Sequence, residues 1–101
     1  MASAARKTVR LLIHGRVQGV CYRAWAVDQA ALRGVDGWVR NRRDGTVEAV
    51  LSGPAAEVDA LIEACRAGPP HAQVSRIDVA PADETEPGVA AGTGFRQIPT
   101  P

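Results

Sequence analysis

Two glycines and an arginine are spaced across a point where a strand is expected to turn into a helix. The run reads Gly15-Arg16-Val17-Gln18-Gly19-Val20-Cys21-Tyr22-Arg23. A helix start has free backbone N–H groups and the positive end of the helix dipole, both of which favour a bound phosphate or carboxylate. Gly15 and Gly19 let the backbone curl towards such an anion. Arg23 can present a planar fork of donors to two of its oxygens.

A glycine-containing turn between a strand and a helix is a weak signal when taken alone. It is more often an ordinary βα connection with a solvent-facing arginine. The run has neither the Rossmann glycine spacing nor the Gly-Lys-Ser/Thr ending of the nucleotide P-loop. It therefore indicates a small anion rather than a nucleotide.

The elements that position this loop follow from the hydrophobic periodicity. Alternation predicts a first strand at Thr8–His14, and the next Gly- and Pro-free stretch predicts a helix from Tyr22 that ends near Gly34. The later predicted elements are a strand at Asp36–Asn41, an Asp44-Gly45 hairpin, a strand at Thr46–Leu51, a helix opened by Gly53-Pro54 with the proline in its first position, and a strand at Gln73–Val79. The order β-α-β-β-α-β is that of the ferredoxin-like α/β (α+β) sandwich, an antiparallel sheet with two helices on one face.

Several side chains are assigned to a face of this sandwich. Ile77 and Val79 of the fourth strand are expected to face the core. The second helix is expected to bury one stripe made of Val58, Leu61, Ile62 and Cys65. On the opposite, open face of the sheet, an apolar patch is expected from Leu12, Trp38 and Val50.

The carboxyl-terminal part is less regular. Residues 81–94 are polar, acidic and interrupted by proline and glycine, which predicts a mobile loop, and residues 95–98 could add a short fifth strand. We therefore expect a single domain at 8–98 between a disordered tail at 1–7 and a short tail at 99–101.

Composition restricts the class of protein. The chain has 101 residues, 46% hydrophobic and 23% charged, which is typical of one globular domain. A net charge of +1 gives no strong field towards nucleic acid or membrane. A basic cluster at Arg40, Arg42 and Arg43 is expected to be a solvated turn. No apolar run approaches the roughly 20 residues of a membrane span. Because the first seven residues contain no hydrophobic segment, we expect no secretory signal there.

Two cysteines and two histidines, scattered along the chain, form no metal-ligand set. We expect no metal and no other cofactor. The low cysteine density favours free thiols in a reducing cytoplasm.

A second polar residue is expected beside the loop. In the predicted topology the first two strands run the same way, so the loop and the end of the second strand lie at one end of the sheet. Val39 is a core position, and Asn41, two residues further, points to the same helix-covered face. Arg23 and Asn41 should therefore converge. The alternative is that Asn41 caps its own hairpin.

With both residues placed, the chain strongly resembles the acylphosphatases. The first signature of that family is matched by Gly15, Val17, Gln18, Gly19, Val20, Tyr22 and Arg23, with Tyr22 where the family often has Phe. The second is matched by Gly37, Trp38, Val39, Asn41, Asp44, Gly45 and Val47. The resemblance runs from about Thr8 to Val79.

The resemblance implies hydrolysis of the carboxyl–phosphate bond of small acyl phosphates, by attack of water on phosphorus. It implies that Arg23 holds the phosphate and that Asn41 orients the water. The backbone cradle would be formed by Gly15, Arg16, Val17, Gln18, Gly19, Val20 and Cys21. We expect a monomer that binds neither nucleic acid nor membrane.

Other candidate residues and two rival functions have less support in the sequence. His14 is expected to be an exposed structural residue and His71 a loop residue. Cys21 lies in the cradle, but no base is placed to activate it as a nucleophile. Two rival functions are an anion-binding module without turnover and RNA binding through the open sheet face. The second would need more aromatic residues than the four present.

Overall fold

The computed structural model describes residues 5–101. Its elements are β1 (Arg6–Arg16), α1 (Tyr22–Arg33), β2 (Asp36–Asn41), β3 (Val47–Pro54), α2 (Ala55–Ala67), β4 (Gln73–Pro81) and β5 (Phe95–Gln97). The sheet order is β4-β1-β3-β2-β5. All neighbours are antiparallel except β2 and β5, which run parallel. The predicted ferredoxin-like sandwich is confirmed, with a mixed rather than purely antiparallel sheet because of β5.

The main core lies between the sheet and the two helices. Leu11 and Ile13 of β1 pack there with Val39 of β2 and Val47 of β3. The predicted stripe of α2, from Val58 to Cys65, is buried in full. Since Asn41 pairs directly with Val47 across the hairpin, its side chain shares this helix-covered face.

Three details differ from the expectations. Val79 is 45% exposed because β4 is an edge strand. Pro54 ends β3 with an extended ψ of 132° and caps α2 instead of occupying its first turn. Residues 1–4 of the predicted tail lie outside the described residues, but Arg6 and Lys7 already belong to β1.

The sheet face away from the helices is not open. Residues 82–94, expected to be a mobile loop, fold across it and bury Val89 against Trp38 and Val50. Trp38 donates its indole N–H to the carbonyl of Pro87 at 3.2 Å, and the Asp36 carboxylate accepts from the loop amides Gly92 and Gly94. Trp38 is therefore only 7% exposed.

The basic cluster is not a simple solvated turn. The buried carboxylate of Glu48 accepts from Arg40 at 2.8 Å, from Arg42 at 2.9 Å and also from Arg10. Burial by itself raises the pKa of Glu48, but the three guanidinium contacts outweigh it and leave that pKa below its usual range. Arg43 alone of the cluster stays exposed.

No helix in the part of the chain that the structure describes is long and apolar enough to cross a membrane.

Candidate active site

The predicted cradle divides between a strand and a loop. Gly15 and Arg16 are the last residues of β1, while residues 17–21 form the loop before α1. Gly15 stands at a register shift against β4 with φ of 124°, and a Cβ there would meet the backbone of Gln73 and Ser75. The close packing of β1 against β4 therefore requires glycine at position 15. Gly19 has φ of 73° and open space around its Cα, so it suits a loop that an anion approaches closely.

The helix α1 starts from a strained residue. Cys21 is its N-cap, with a left-handed φ of 63° and no side-chain capping bond. Such a conformation costs a non-glycine residue on the order of 1–3 kcal/mol and is typical of functional sites. Within residues 5–101, no backbone N–H from Gln18 to Ala24 donates to another protein group. These donors at a helix N-terminus can bind an anion.

A cavity of about 310 Å³ lies between this loop and the end of β2. It is bordered by both predicted catalytic residues, Arg23 and Asn41, and by the loop residues Val17, Gly19 and Cys21. The two side chains are thus brought to one site. The half-buried Arg23 guanidinium makes no hydrogen bond or ion pair with the described residues, so its donors are available to a ligand.

Asn41 holds an unsatisfied acceptor at this cavity. Its Oδ1 is buried and has no hydrogen-bond partner among the residues described. Buried polar atoms are nearly always paired, so an orphan beside a cavity points to a ligand or water as the missing donor. The alternative role, capping its own hairpin, is not seen.

Gln18 performs that capping instead. Its side-chain amide donates to the carbonyls of Arg42 at 2.8 Å and Thr46 at 2.9 Å, which are the two ends of the β2–β3 turn. Gln18 therefore ties the loop to the hairpin that presents Asn41. From the sequence, only the backbone of Gln18 was expected to contribute to the cradle, and this clamp of side-chain hydrogen bonds was not predicted.

Tyr22 fixes the other side of the loop. It is buried, and its hydroxyl donates to the carbonyl of Cys65 on α2 at 2.6 Å. Burial raises the pKa of Tyr22 far above its usual value, so the hydroxyl stays a neutral donor. Burial likewise raises the pKa of the Cys65 thiol to about 11. The Tyr22 hydroxyl therefore links α1 to α2 through a buried hydrogen bond.

Gln97 of β5 also lines the cavity, and sequence reasoning did not assign it. The alternation of side chains along β5 could have predicted this position. Phe95 packs on the main core, and Gln97, two residues later, points to the same face and pairs with Val39. Residues 95–98 lack a regular alternation of apolar residues, so the side of the sheet that Gln97 faces was not predicted.

The other candidate groups lie elsewhere. His14 faces away from the cavity on the sheet, with its Nε2 3.0 Å from the Asp78 carboxylate. His71 lies in the turn before β4, beside a second cavity that also borders Gly19 and Cys21. Cys21 is exposed and Cys65 is buried, and both are free thiols.

Comparison with known proteins identifies the family of the chain. Residues 9–97 match the family model described as Acylphosphatase. The chain belongs to the acylphosphatase family. An acylphosphatase from Azorhizobium caulinodans is 61% identical over 93 residues, covering 92% of this chain and 96% of that protein. The resemblance found in the two signature runs is thereby confirmed.

Solved acylphosphatases share the fold over nearly the whole chain. The crystal structure from Bacillus subtilis has a TM-score of 0.82 at 32% identity and covers 93% of this chain and 99% of its own. A second, from Coxiella burnetii, has a TM-score of 0.83 at 28% identity and covers 97% and 100%. In the present chain, both signature runs contribute to the lining of one cavity, the first with residues that include Arg23 and the second with Asn41.

Proposed function

We propose that this acylphosphatase-family protein hydrolyses the carboxyl–phosphate bond of small acyl phosphates, with water attacking phosphorus at the cavity between the loop and β2. The observation that carries the proposal is the meeting of an unpaired guanidinium, unpaired loop amides and the orphaned Asn41 Oδ1 at one cavity. Each of the three is a hydrogen-bonding group that lacks a partner among residues 5–101. Together they match a phosphate and its attacking water.

Arg23 and the loop amides supply the positive charge. A phosphoryl group carries charge on its equatorial oxygens in the transition state, so fixed donors around it lower the barrier. An acyl phosphate already has a good leaving group, which makes positioning and charge stabilisation sufficient without a protein nucleophile. The backbone N–H groups of residues 19–21 and the two-pronged guanidinium of Arg23 would together surround the three phosphate oxygens.

Asn41 positions the water. Its Oδ1 can accept a hydrogen bond from the water and so direct a lone pair of the water oxygen at phosphorus. Because a neutral amide is not a base, the phosphate oxygens of the substrate take up the proton. This division assigns phosphate binding to Arg23 and water orientation to Asn41.

The proposal is tested with purified protein and benzoyl phosphate in the presence of a chelator. Among residues 5–101, no three His, Cys, Asp or Glu side chains are grouped as a metal site, so we expect turnover to continue. Inorganic phosphate should inhibit competitively. An anion-binding module without catalysis would bind phosphate but release no benzoate above the spontaneous rate.

Isotope labelling tests the site of attack. Hydrolysis in ¹⁸O-water should place the label in inorganic phosphate and leave benzoate unlabelled. Label in the benzoate would show attack on the carbonyl carbon, and the role proposed for Asn41 would then be wrong.

We further propose that the protein acts as a monomer in the cytoplasm. A complete cavity within one chain supports the first point. Two free cysteines, one of them exposed at the site, support a reducing compartment. Light scattering at micromolar concentration and cell fractionation would test these two points.

A further inference from the structure

A second cavity, of about 610 Å³, adjoins the proposed phosphate site. Gly19 and Cys21 border both cavities, so the two meet across the loop. The remaining lining of the second cavity comes from Arg16 and Val20 and from the turn before β4, namely Pro70, His71, Ala72 and Gln73. The proposed phosphate site uses backbone groups of this loop but none of these side chains.

The strand order places this second cavity opposite Asn41. β2 and β4 lie on opposite sides of the β1–β3 pair. Asn41 ends β2, and Gln73 begins β4 beside Arg16, at the same end of the sheet. The loop with Gly19 and Cys21 therefore lies between the water-orienting residue and the second cavity.

The geometry of phosphoryl transfer predicts where the leaving group of the substrate lies in this arrangement. The attacking and leaving oxygens lie roughly in line through phosphorus. Water directed from the Asn41 side thus expels the carboxylate towards the opposite side, where the second cavity lies. The acyl part of the substrate should occupy that space before the bond breaks.

The lining of the second cavity favours negative charge. Arg16 is exposed and forms no ion pair with the described residues, and His71 stands across the cavity in the turn before β4. Among the described residues that line the space, none is Asp or Glu. A carboxylate or phosphate on the acyl group would find a free guanidinium there and no opposing charge.

We propose that this cavity receives the acyl group and that Arg16 makes the enzyme prefer acyl phosphates with a second anionic group. The inference rests on the proposed function, since it concerns the leaving group of the same reaction. It makes Arg16 a specificity-determining residue acting through its side chain.

Rigid substrates test the preference without self-reaction. In 3- and 4-carboxybenzoyl phosphate the added carboxylate cannot reach its own acyl carbon, and 3- and 4-methylbenzoyl phosphate are uncharged partners of similar size. The measured quantity is the ratio of kcat/KM for each carboxylated substrate to that of its methyl partner. We expect at least one ratio to be well above one at low salt and to fall as ionic strength rises.

Variants locate the origin of that ratio. Arg16→Gln should lower it by about tenfold, the usual scale for losing one hydrogen bond to a charged group, and Arg16→Lys should retain much of it. Arg43→Gln removes the same charge from an exposed hairpin residue at the same end of the sheet, and should leave the ratio unchanged.

The outcomes separate the two proposals. Equal loss for both substrate types in Arg16→Gln, or an equal fall of the ratio in Arg43→Gln, would overturn the role of Arg16 while leaving acyl phosphate hydrolysis intact. Ratios near one in the unmodified protein would do the same. If the unmodified protein hydrolyses none of the four substrates, the proposed function itself is wrong and this inference fails with it.

Discussion

Two buried hydrogen-bond acceptors on the β2–β3 hairpin lie on opposite faces of the sheet and differ in whether they have hydrogen-bond partners. Glu48, on the face away from the helices, accepts from three arginines. Asn41 follows Arg40, which pairs with Glu48, and lies on the helix-covered face. Its Oδ1 has no hydrogen-bond partner among the described residues. Buried acceptors are normally satisfied. The satisfied residue therefore serves stability, and the unsatisfied one is available for a ligand.

The same contrast extends to the cations. Arg10, Arg40 and Arg42 each form an ion pair with Glu48, whereas Arg23 and Arg16 form no ion pair within the described chain. Each of the two cavities is thus bordered by a guanidinium group without an ion pair among the described residues. Substitutions at Glu48 should therefore alter stability, and substitutions at Arg23 or Asn41 should alter turnover.

The largest expected effect is at Arg23. Arg23→Ala removes the charged fork from the phosphate and should lower kcat/KM for benzoyl phosphate by roughly 10³–10⁵, the range for an arginine that stabilises phosphoryl transfer. Arg23→Lys keeps the charge but loses the bidentate geometry, and should still lose at least about 10². Steady-state kinetics on both variants gives the answer. Near-normal turnover of Arg23→Lys would show that charge alone suffices.

Asn41→Ala should come next. Loss of one positioned group at such a site lowers the rate by about 10²–10³, or roughly 3–4 kcal/mol. Because the Asn41 Oδ1 has no hydrogen-bond partner to lose among the described residues, the midpoint of thermal unfolding should change little. A variant that loses stability together with activity would mean that Asn41 supports the fold, and the contrast with Glu48 would fail.

Glu48→Gln should show the opposite pattern. Replacing a carboxylate that three arginines share should lower the free energy of unfolding by about 1–3 kcal/mol, with turnover near the parent value. Denaturant unfolding and benzoyl phosphate kinetics measure the two sides. Asp78→Asn, at an exposed carboxylate bonded to His14 and Arg76, is the control and should change stability less.

The stabilisation by Glu48 should also depend on pH. Its folded-state pKa is depressed, so its contribution is present above the unfolded pKa near 4.3 and is lost as pH falls through the folded pKa. The stability difference between parent and Glu48→Gln should therefore shrink below about pH 4. A difference that stays constant down to pH 2 would contradict the assignment.

The smallest effect is expected at Gln18. Gln18→Ala removes two hydrogen bonds between loop and hairpin and should lower stability by about 1–2 kcal/mol. It should also lower kcat by about tenfold, because small misplacements of reacting groups cost rate. Gln29→Ala on α1, whose side chain bonds only Arg33, is a matched control. If the two variants behave alike, the clamp has no role in positioning Asn41.

Much of this arrangement follows from periodicity alone. Alternation and topology predicted that Arg23 and Asn41 would meet, because strand parity fixes the face and parallel strands share an end. The ion pair of Arg40 with Glu48 was also readable, since the hairpin register places them opposite one another. It was missed because the basic cluster was judged by composition.

The remaining features depend on contacts without a period. The loop amides of Gly92 and Gly94 bond a carboxylate 56 and 58 positions earlier in the chain. The clamp by Gln18 likewise joins segments 24 and 28 positions apart. Such contacts arise only after the sheet has assembled, so the sequence shows the polar residues without showing their partners.

Calorimetric titration of inorganic phosphate into the parent and Asn41→Ala proteins tests the central claim most directly. If Asn41 orients water while Arg23 and the loop hold the phosphate, the two dissociation constants should agree within about twofold although kcat differs by about 10²–10³. Arg23→Ala, measured alongside, should weaken phosphate binding strongly. Equal losses of phosphate affinity in the Asn41 and Arg23 variants would show that Asn41 is a phosphate ligand, and the division of roles at this site would be wrong.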